Sequence, residues 1–173
     1  MKTVIFILGP QGAGKSTAMA SLQNHPKVVC LQSFTTRKRR LGEKDEYLYL
    51  RSPPEEIDVA WGIKRSTGVY GVLKSEIHKI SDNKCGVVTF DPEMMDDLEQ
   101  IIAKNNIKII TVGLDNMHNL DTQHKRVGYQ LDRVLTLGRL RNIKARITRT
   151  DYVLRGDKEE TRSELIRIIS EIT

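Results

Sequence analysis

Near the amino terminus one stretch carries the most specific chemistry in the chain: Gly9-Pro10-Gln11-Gly12-Ala13-Gly14-Lys15-Ser16, with Thr17 behind it. Glycines at this spacing let a backbone turn tightly and aim successive N–H groups at one anion. Lys15 supplies a mobile positive charge for the β and γ phosphates of a nucleotide, and the Ser16 hydroxyl is a ligand for Mg²⁺. A helix that starts here adds its positive end to the same point. Gly9, Gln11, Gly12, Ala13, Gly14, Lys15, Ser16 and Thr17 therefore read as a loop for ATP, with Mg²⁺ on Ser16.

A second constellation follows. Ser33-Phe34-Thr35-Thr36-Arg37-Lys38-Arg39-Arg40-Leu41-Gly42-Glu43 sets hydroxyls before a basic run, with Tyr47 and Tyr49 beyond. Taken alone, the run reads equally as a solvated basic loop or as a site where guanidinium forks meet a phosphate. Gly68-Val69-Tyr70-Gly71 adds a tyrosine in a turn, either packed or offering its hydroxyl. Asp91 ends an apolar run and precedes Pro92-Glu93. It reads equally as a helix N-cap and as a carboxylate that orients Mg²⁺ through water. Arg126, Arg133, Arg139, Arg141 and Arg146 lie on later helical stretches. Guanidiniums closing over a migrating phosphoryl group would stabilise its charge and exclude water.

The pattern Ser33-x-Thr35-Thr36-Arg37-x-x-Arg40-x-Gly42-Glu43, with Tyr49, resembles the acceptor-phosphate segment of guanylate kinases without a gap. The resemblance implies that Ser33, Arg37, Arg40, Glu43, Tyr49, Tyr70 and Asp91 form an acceptor site. It also implies that Lys15, Arg37 and the lid arginines Arg126, Arg133 and Arg139 act in catalysis. Three departures stand out. Trp61 and Val72 occupy the places of guanine-reading residues, offering an indole face and an apolar wall instead of a carboxylate and a hydroxyl; a register shifted by a few residues would let Glu56 or Asp58 supply the carboxylate, and Trp61 reads also as core. Thr89 replaces the first acid of an Asp-x-Asp pair, leaving Asp91. Gly156 stands where the family has an asparagine near the donor adenine. The implied function is ATP-dependent transfer to a (deoxy)nucleoside monophosphate, with GMP or dGMP first. The same chemistry on another or modified nucleotide, or on ribose 1,5-bisphosphate, is the alternative. A non-catalytic guanylate-kinase-like binding module belongs to another class, and the intact phosphate loop argues against it.

The elements that must position these residues alternate along the chain. Thr3–Leu8 is an unbroken apolar run, as in buried parallel strands. A helix from Lys15, strands at 28–31, 86–91 and 107–112, a helix at 94–104 and a fifth strand near 151–157 follow, then an amphipathic helix at 158–172. Met95, Leu98, Ile101 and Ile102 read as the buried stripe of the 94–104 helix. Together they predict an α/β P-loop kinase fold: a five-stranded parallel sheet with helices on both faces. The expected core spans 1–32, 76–125 and 143–173, with an acceptor-binding insert at 33–75 and an arginine-bearing lid at 126–142.

At 173 residues with net charge +6, one domain with a substantial core is expected. No apolar run approaches the ~20 residues of a membrane span. The basic residues gather near the proposed site without interleaved aromatics, which favours small phosphorylated ligands over nucleic acid. Cys30 and Cys85 match no disulfide or metal pattern and read as buried thiols in a reducing cytoplasm. The partners expected are small nucleotides, with the chain a monomer or homodimer and no membrane contact.

Overall fold

The computed structural model describes residues 1–10, 12–41, 43, 47–115 and 137–173, the side chains of 137–140 excepted. The central sheet holds β1 (Lys2–Leu8), β2 (Val28–Cys30), β7 (Cys85–Thr89), β8 (Ile107–Leu114) and β9 (Tyr152–Leu154). Its order is β2-β7-β1-β8-β9, and every pairing is parallel. β1 is central because its residues are apolar on both faces. Val4, Phe6 and Leu8 enter one core cluster, while Ile5 and Ile7 enter the other.

Helices cover both faces. α1 (Lys15–Leu22) and the terminal α5 (Lys158–Ile172) pack on the Ile5/Ile7 side through Ala18, Leu22, Leu165, Ile168 and Ile169. On the Phe6 side lie α2 (Lys74–His78), a 3₁₀ turn over Pro92–Asp97 and α3 (Leu98–Asn105). α4 (Leu137–Ile147) buries Ile143 and Ile147, and Arg146 pairs with Asp96 at 2.8 Å. The expected helix at 94–104 is thus split: its first part winds as 3₁₀ before the α-helical turns begin. Met94, Met95 and Ile101 are buried, but Ile102 is exposed. The Asn105 amide binds the Ala60 carbonyl at 3.0 Å, which seats the 101/105 side of α3 on the chain at Ala60 and turns Ile102 outward.

A second sheet is built from β3 (Ser33–Thr35), β4 (Tyr47–Tyr49), β5 (Val59–Arg65) and β6 (Gly68–Leu73), in the order β4-β3-β6-β5. Tyr70 lies within strand β6, not in a turn, because Gly68–Leu73 pairs along β5. The ladders set Trp61 opposite Val72, Ile63 opposite Tyr70, Ser33 opposite Val72 and Thr35 opposite Tyr70. Side chains directly across a ladder share a face. Trp61 contacts Phe6 of β1, so this is the face turned to the central sheet. Cys85 is buried, whereas Cys30 is only half-buried; both are free thiols, and burial pushes both pKa values up.

Candidate active site

β1 delivers its loop at the carboxyl edge of the sheet, between β7 and β8. Gly12 and Gly14 take φ of 85° and 95°, a region that strains residues with a β-carbon. Gly14 precedes α1, and no side chain caps that helix. Its first-turn N–H groups keep their capacity for an anion. The Lys15 ammonium donates to the Gly9 and Pro10 carbonyls, each at 2.8 Å. Burial lowers its pKa to about 8, against the opposing pull of the Asp91 charge. Ser16 and Thr17 are exposed on α1, and Ala13 is buried beneath the loop. Gln11 lies outside the described residues.

Asp91 follows β7. It accepts from the Glu93 amide at 2.9 Å, so it does cap the 3₁₀ turn. It also accepts from Arg65 at 2.5 Å, and a second nitrogen of that guanidinium bonds Glu93. This bridge from the second sheet to the edge of β7 was not singled out from the sequence. A signal for it exists: Trp61, Ile63 and Arg65 alternate along β5, which sends all three to one face.

The basic run is folded around Arg37. Arg37 is buried and forms a two-pronged pair with Glu43, whose side chain is only 14% exposed. That pair raises the guanidinium pKa and lowers that of Glu43 to about 2. The Thr35 hydroxyl accepts from the Arg37 amide at 3.2 Å, and the Thr36 hydroxyl from the Val69 amide at 2.9 Å. A β-carbon on Gly68 would lie 2.7 Å from the Arg37 nitrogen, so this close approach needs glycine. Arg39 reaches the Glu43 carbonyl at 3.0 Å and lies over the Tyr49 ring. Arg40 is exposed, and its guanidinium has no partner among the described residues.

The Tyr49 hydroxyl is buried beside the Glu43 carboxylate, and burial first, then that carboxylate, raises its pKa. Tyr70 pairs its hydroxyl with that of Thr67 at 2.7 Å. The rings of Tyr47 and Tyr70 meet edge-on at 6.0 Å. Ser33 is half-buried on β3. A buried hydroxyl and an exposed guanidinium, unpaired among the described residues, beside a fixed one suit an incoming phosphate. Gly42, Arg126 and Arg133 lie outside the described residues; Arg139 belongs to α4, and its side chain is likewise outside them.

The Arg37–Glu43 pair has a consequence for stability. The Glu43 pKa is depressed in the fold, so its contribution is present above the ordinary carboxylate range and is lost as pH falls toward about 2. The stability gap between wild type and Glu43→Gln should be on the order of 2 kcal/mol near neutrality and narrow with acid. Thermal melts of both proteins from about pH 6 to 3 test this. A gap that does not change with pH would show that the pair contributes packing alone.

Of the two readings of Trp61, the structure gives core. Trp61 is 5% exposed and Val72 1%, so neither presents an open face to a ligand. The Trp61 ring lies 4.9 Å from Phe6, which stacks on Phe90 at 4.2 Å. A large apolar surface on the inner face of a small sheet is buried wherever a second apolar layer is within reach. On the other side of the loop, buried Asp115 follows β8 and holds Arg155 through its Nε at 2.9 Å. Gly156 sits at φ 154°, next to Asp157, which opens α5 with a reciprocal Asp157–Glu160 cap.

No protein-family model matches the chain. Over 50 residues, 28% of its length, it is 44% identical to a guanylate kinase of Prochlorococcus marinus subsp. pastoris. That stretch spans only 27% of the relative's own length. The crystal structure of guanylate kinase from Anaplasma phagocytophilum matches with a TM-score of 0.66 and 18% identity, covering 99% of this chain and 86% of that one. The crystal structure of APE1195 matches with a TM-score of 0.50 and 16% identity, over 99% and 96% of the two chains. At such identities the structural matches carry the fold. The chain thus has the α/β fold of these structures, a five-stranded parallel sheet with helices on both faces, and over 50 residues its sequence is similar to that of a guanylate kinase.

Proposed function

We propose that this chain transfers the terminal phosphoryl group of ATP to the phosphate of a (deoxy)nucleoside monophosphate, giving ADP and a diphosphate, with GMP and dGMP as the first acceptors to test. One observation carries the reading. An intact phosphate loop on the central sheet and a cluster of Arg37, Arg40, Tyr49 and Tyr70 on or beside the second sheet belong to two sheets that share one core cluster. In such a reaction an acceptor phosphate oxygen attacks the γ phosphorus while the bond to the β,γ-bridging oxygen breaks. The attacking group is already an anion, so no side-chain nucleophile is needed.

Lys15 would leave its two loop carbonyls for the donor phosphates. Arg40 and the Tyr49 hydroxyl would receive the acceptor phosphate, with Arg37 held in place by Glu43. Arg126, Arg133 and Arg139 are proposed to close over the migrating group as a lid near 126–142, against an acceptor insert at 33–75. The exposed Ser16 hydroxyl fits Mg²⁺, which usually takes few protein ligands and the rest from phosphates and water. Bound there, the ion would neutralise charge on the donor phosphates.

Among the described residues no helix is long and apolar enough to cross a membrane. A cytoplasmic monomer or homodimer acting on small nucleotides, without nucleic acid or membrane partners, completes the proposal. The burial of Trp61 and Val72 favours a second reading of the acceptor, with the chemistry kept and guanine not required; ribose 1,5-bisphosphate and other nucleotides fall within it. A coupled assay of ADP release, with ATP, Mg²⁺ and each acceptor in turn, tests the function. Release above the acceptor-free rate is expected, and its absence for every acceptor defeats the reading.

A further inference from the structure

We infer that the acceptor is recognised through its phosphate ester alone, because the space between the two sheets that a nucleobase would need is filled by the protein's own core. The inference rests on the phosphoryl-transfer reading and deepens it by naming the acceptor class: phosphomonoesters whose group beyond the sugar is unread.

The inner face of the second sheet has two ends. At one end stand Thr35, Tyr70 and Arg65, with Tyr49 beside Thr35. At the other stand Trp61 and Val72, opposite one another and both buried. Strand residues two apart are separated by about 6.6 Å, so Trp61 lies roughly 13 Å from Arg65 along β5. From the phosphate cluster, an acceptor's organic group points away from the phosphate loop, because the attacking oxygen faces the donor. It can then run inward toward Trp61 or outward to solvent.

The inward path is closed. Trp61 packs on Phe6 at 4.9 Å and Phe6 on Phe90 at 4.2 Å. Leu31, Ala60, Ile77, Ile80, Met94 and Met95 complete the same cluster. At the polar end, Arg65 spans from the second sheet to Asp91 and Glu93 at the edge of β7. Close-packed side chains leave no room for a purine without displacing a buried ring. The base of a bound nucleotide therefore stays outside the sheets, away from Trp61 and Val72.

Trp61 is the one tryptophan of the chain, so its emission reports on this space directly. The test pairs two measurements on the wild-type protein with Mg²⁺. The first is ADP release with GMP, AMP, CMP, dTMP and ribose 5-phosphate. The second is calorimetry and Trp61 fluorescence during titration of GMP or ribose 5-phosphate, at a fixed concentration of a non-hydrolysable ATP analogue. Expected are kcat/KM values within about tenfold across the panel, and emission typical of a buried indole that saturating GMP leaves unchanged. A nucleotide preferred over ribose 5-phosphate by more than about tenfold, or quenching of Trp61 by GMP, overturns the inference and leaves the kinase reading standing. Binding of ribose 5-phosphate without binding of GMP overturns it, because an unread base would not bar binding, and binding of neither overturns it as well. Absence of ADP release with every acceptor defeats the kinase reading, while the titrations still decide whether a bound base reaches Trp61.

Discussion

Lys15→Ala should lower kcat/KM by a factor of about a thousand or more, near 4 kcal/mol of transition-state stabilisation, without lowering the melting temperature. The catalytic half of this expectation follows from phosphoryl transfer, in which positioned positive charge does most of what the protein can do. The stability half comes from the structure. Lys15 is buried, and its pKa of about 8 lies below the ordinary 10.5. The fold therefore disfavours its proton. That penalty is fully present below pH 8 and fades as pH rises toward 10.5, since between those values the unfolded chain holds more protons. Removing the ammonium at neutral pH removes the penalty, together with the two bonds to Gly9 and Pro10. ADP-release kinetics and a thermal melt on the same preparation check both halves. A variant that keeps most of its turnover at an unchanged melting temperature would sink the kinase reading.

The second large effect separates three neighbouring arginines. Arg40→Ala should cost about 2–4 kcal/mol in kcat/KM at unchanged stability, because Arg40 is an exposed guanidinium with no partner among the described residues. Arg37→Ala should cost a similar amount in activity and also destabilise the fold by about 3–5 kcal/mol, because it strands the Glu43 carboxylate in a largely buried place. Adding Glu43→Gln to Arg37→Ala should recover stability and not activity. Arg39→Ala should do least, since Arg39 lies against a carbonyl and a tyrosine ring on the exposed side. Kinetics and denaturant melts of the four proteins decide the matter. If Arg39→Ala impairs turnover as much as Arg40→Ala, the assignment of Arg40 to the acceptor phosphate is wrong.

Much of this molecule is legible in one dimension because its information is local. The phosphate loop is a run of consecutive residues, and its glycines act on their own dihedral angles, so no distant contact is needed to read it. The parallel sheet shows in the same way: a strand buried on both faces must be apolar throughout, and β1 is. The cap at Asp91 is also short-range, and it formed. What the tertiary structure alone decided depends on which side of a sheet faces which neighbour. From the chain, Trp61 read either as an indole in a ligand pocket or as core; the ladder opposite Val72 and the approach of Phe6 made it core. Arg65 lies 26 residues from Asp91, too far for local pattern to join them, yet the two sheets bring them together. Glu43, six residues from Arg37, was readable as part of an acceptor motif, but its role as the partner that fixes Arg37 appeared only when the run folded back on itself. Spacing along a chain specifies which groups a loop or strand carries; the packing of one sheet on another specifies which of them remain free to meet a substrate.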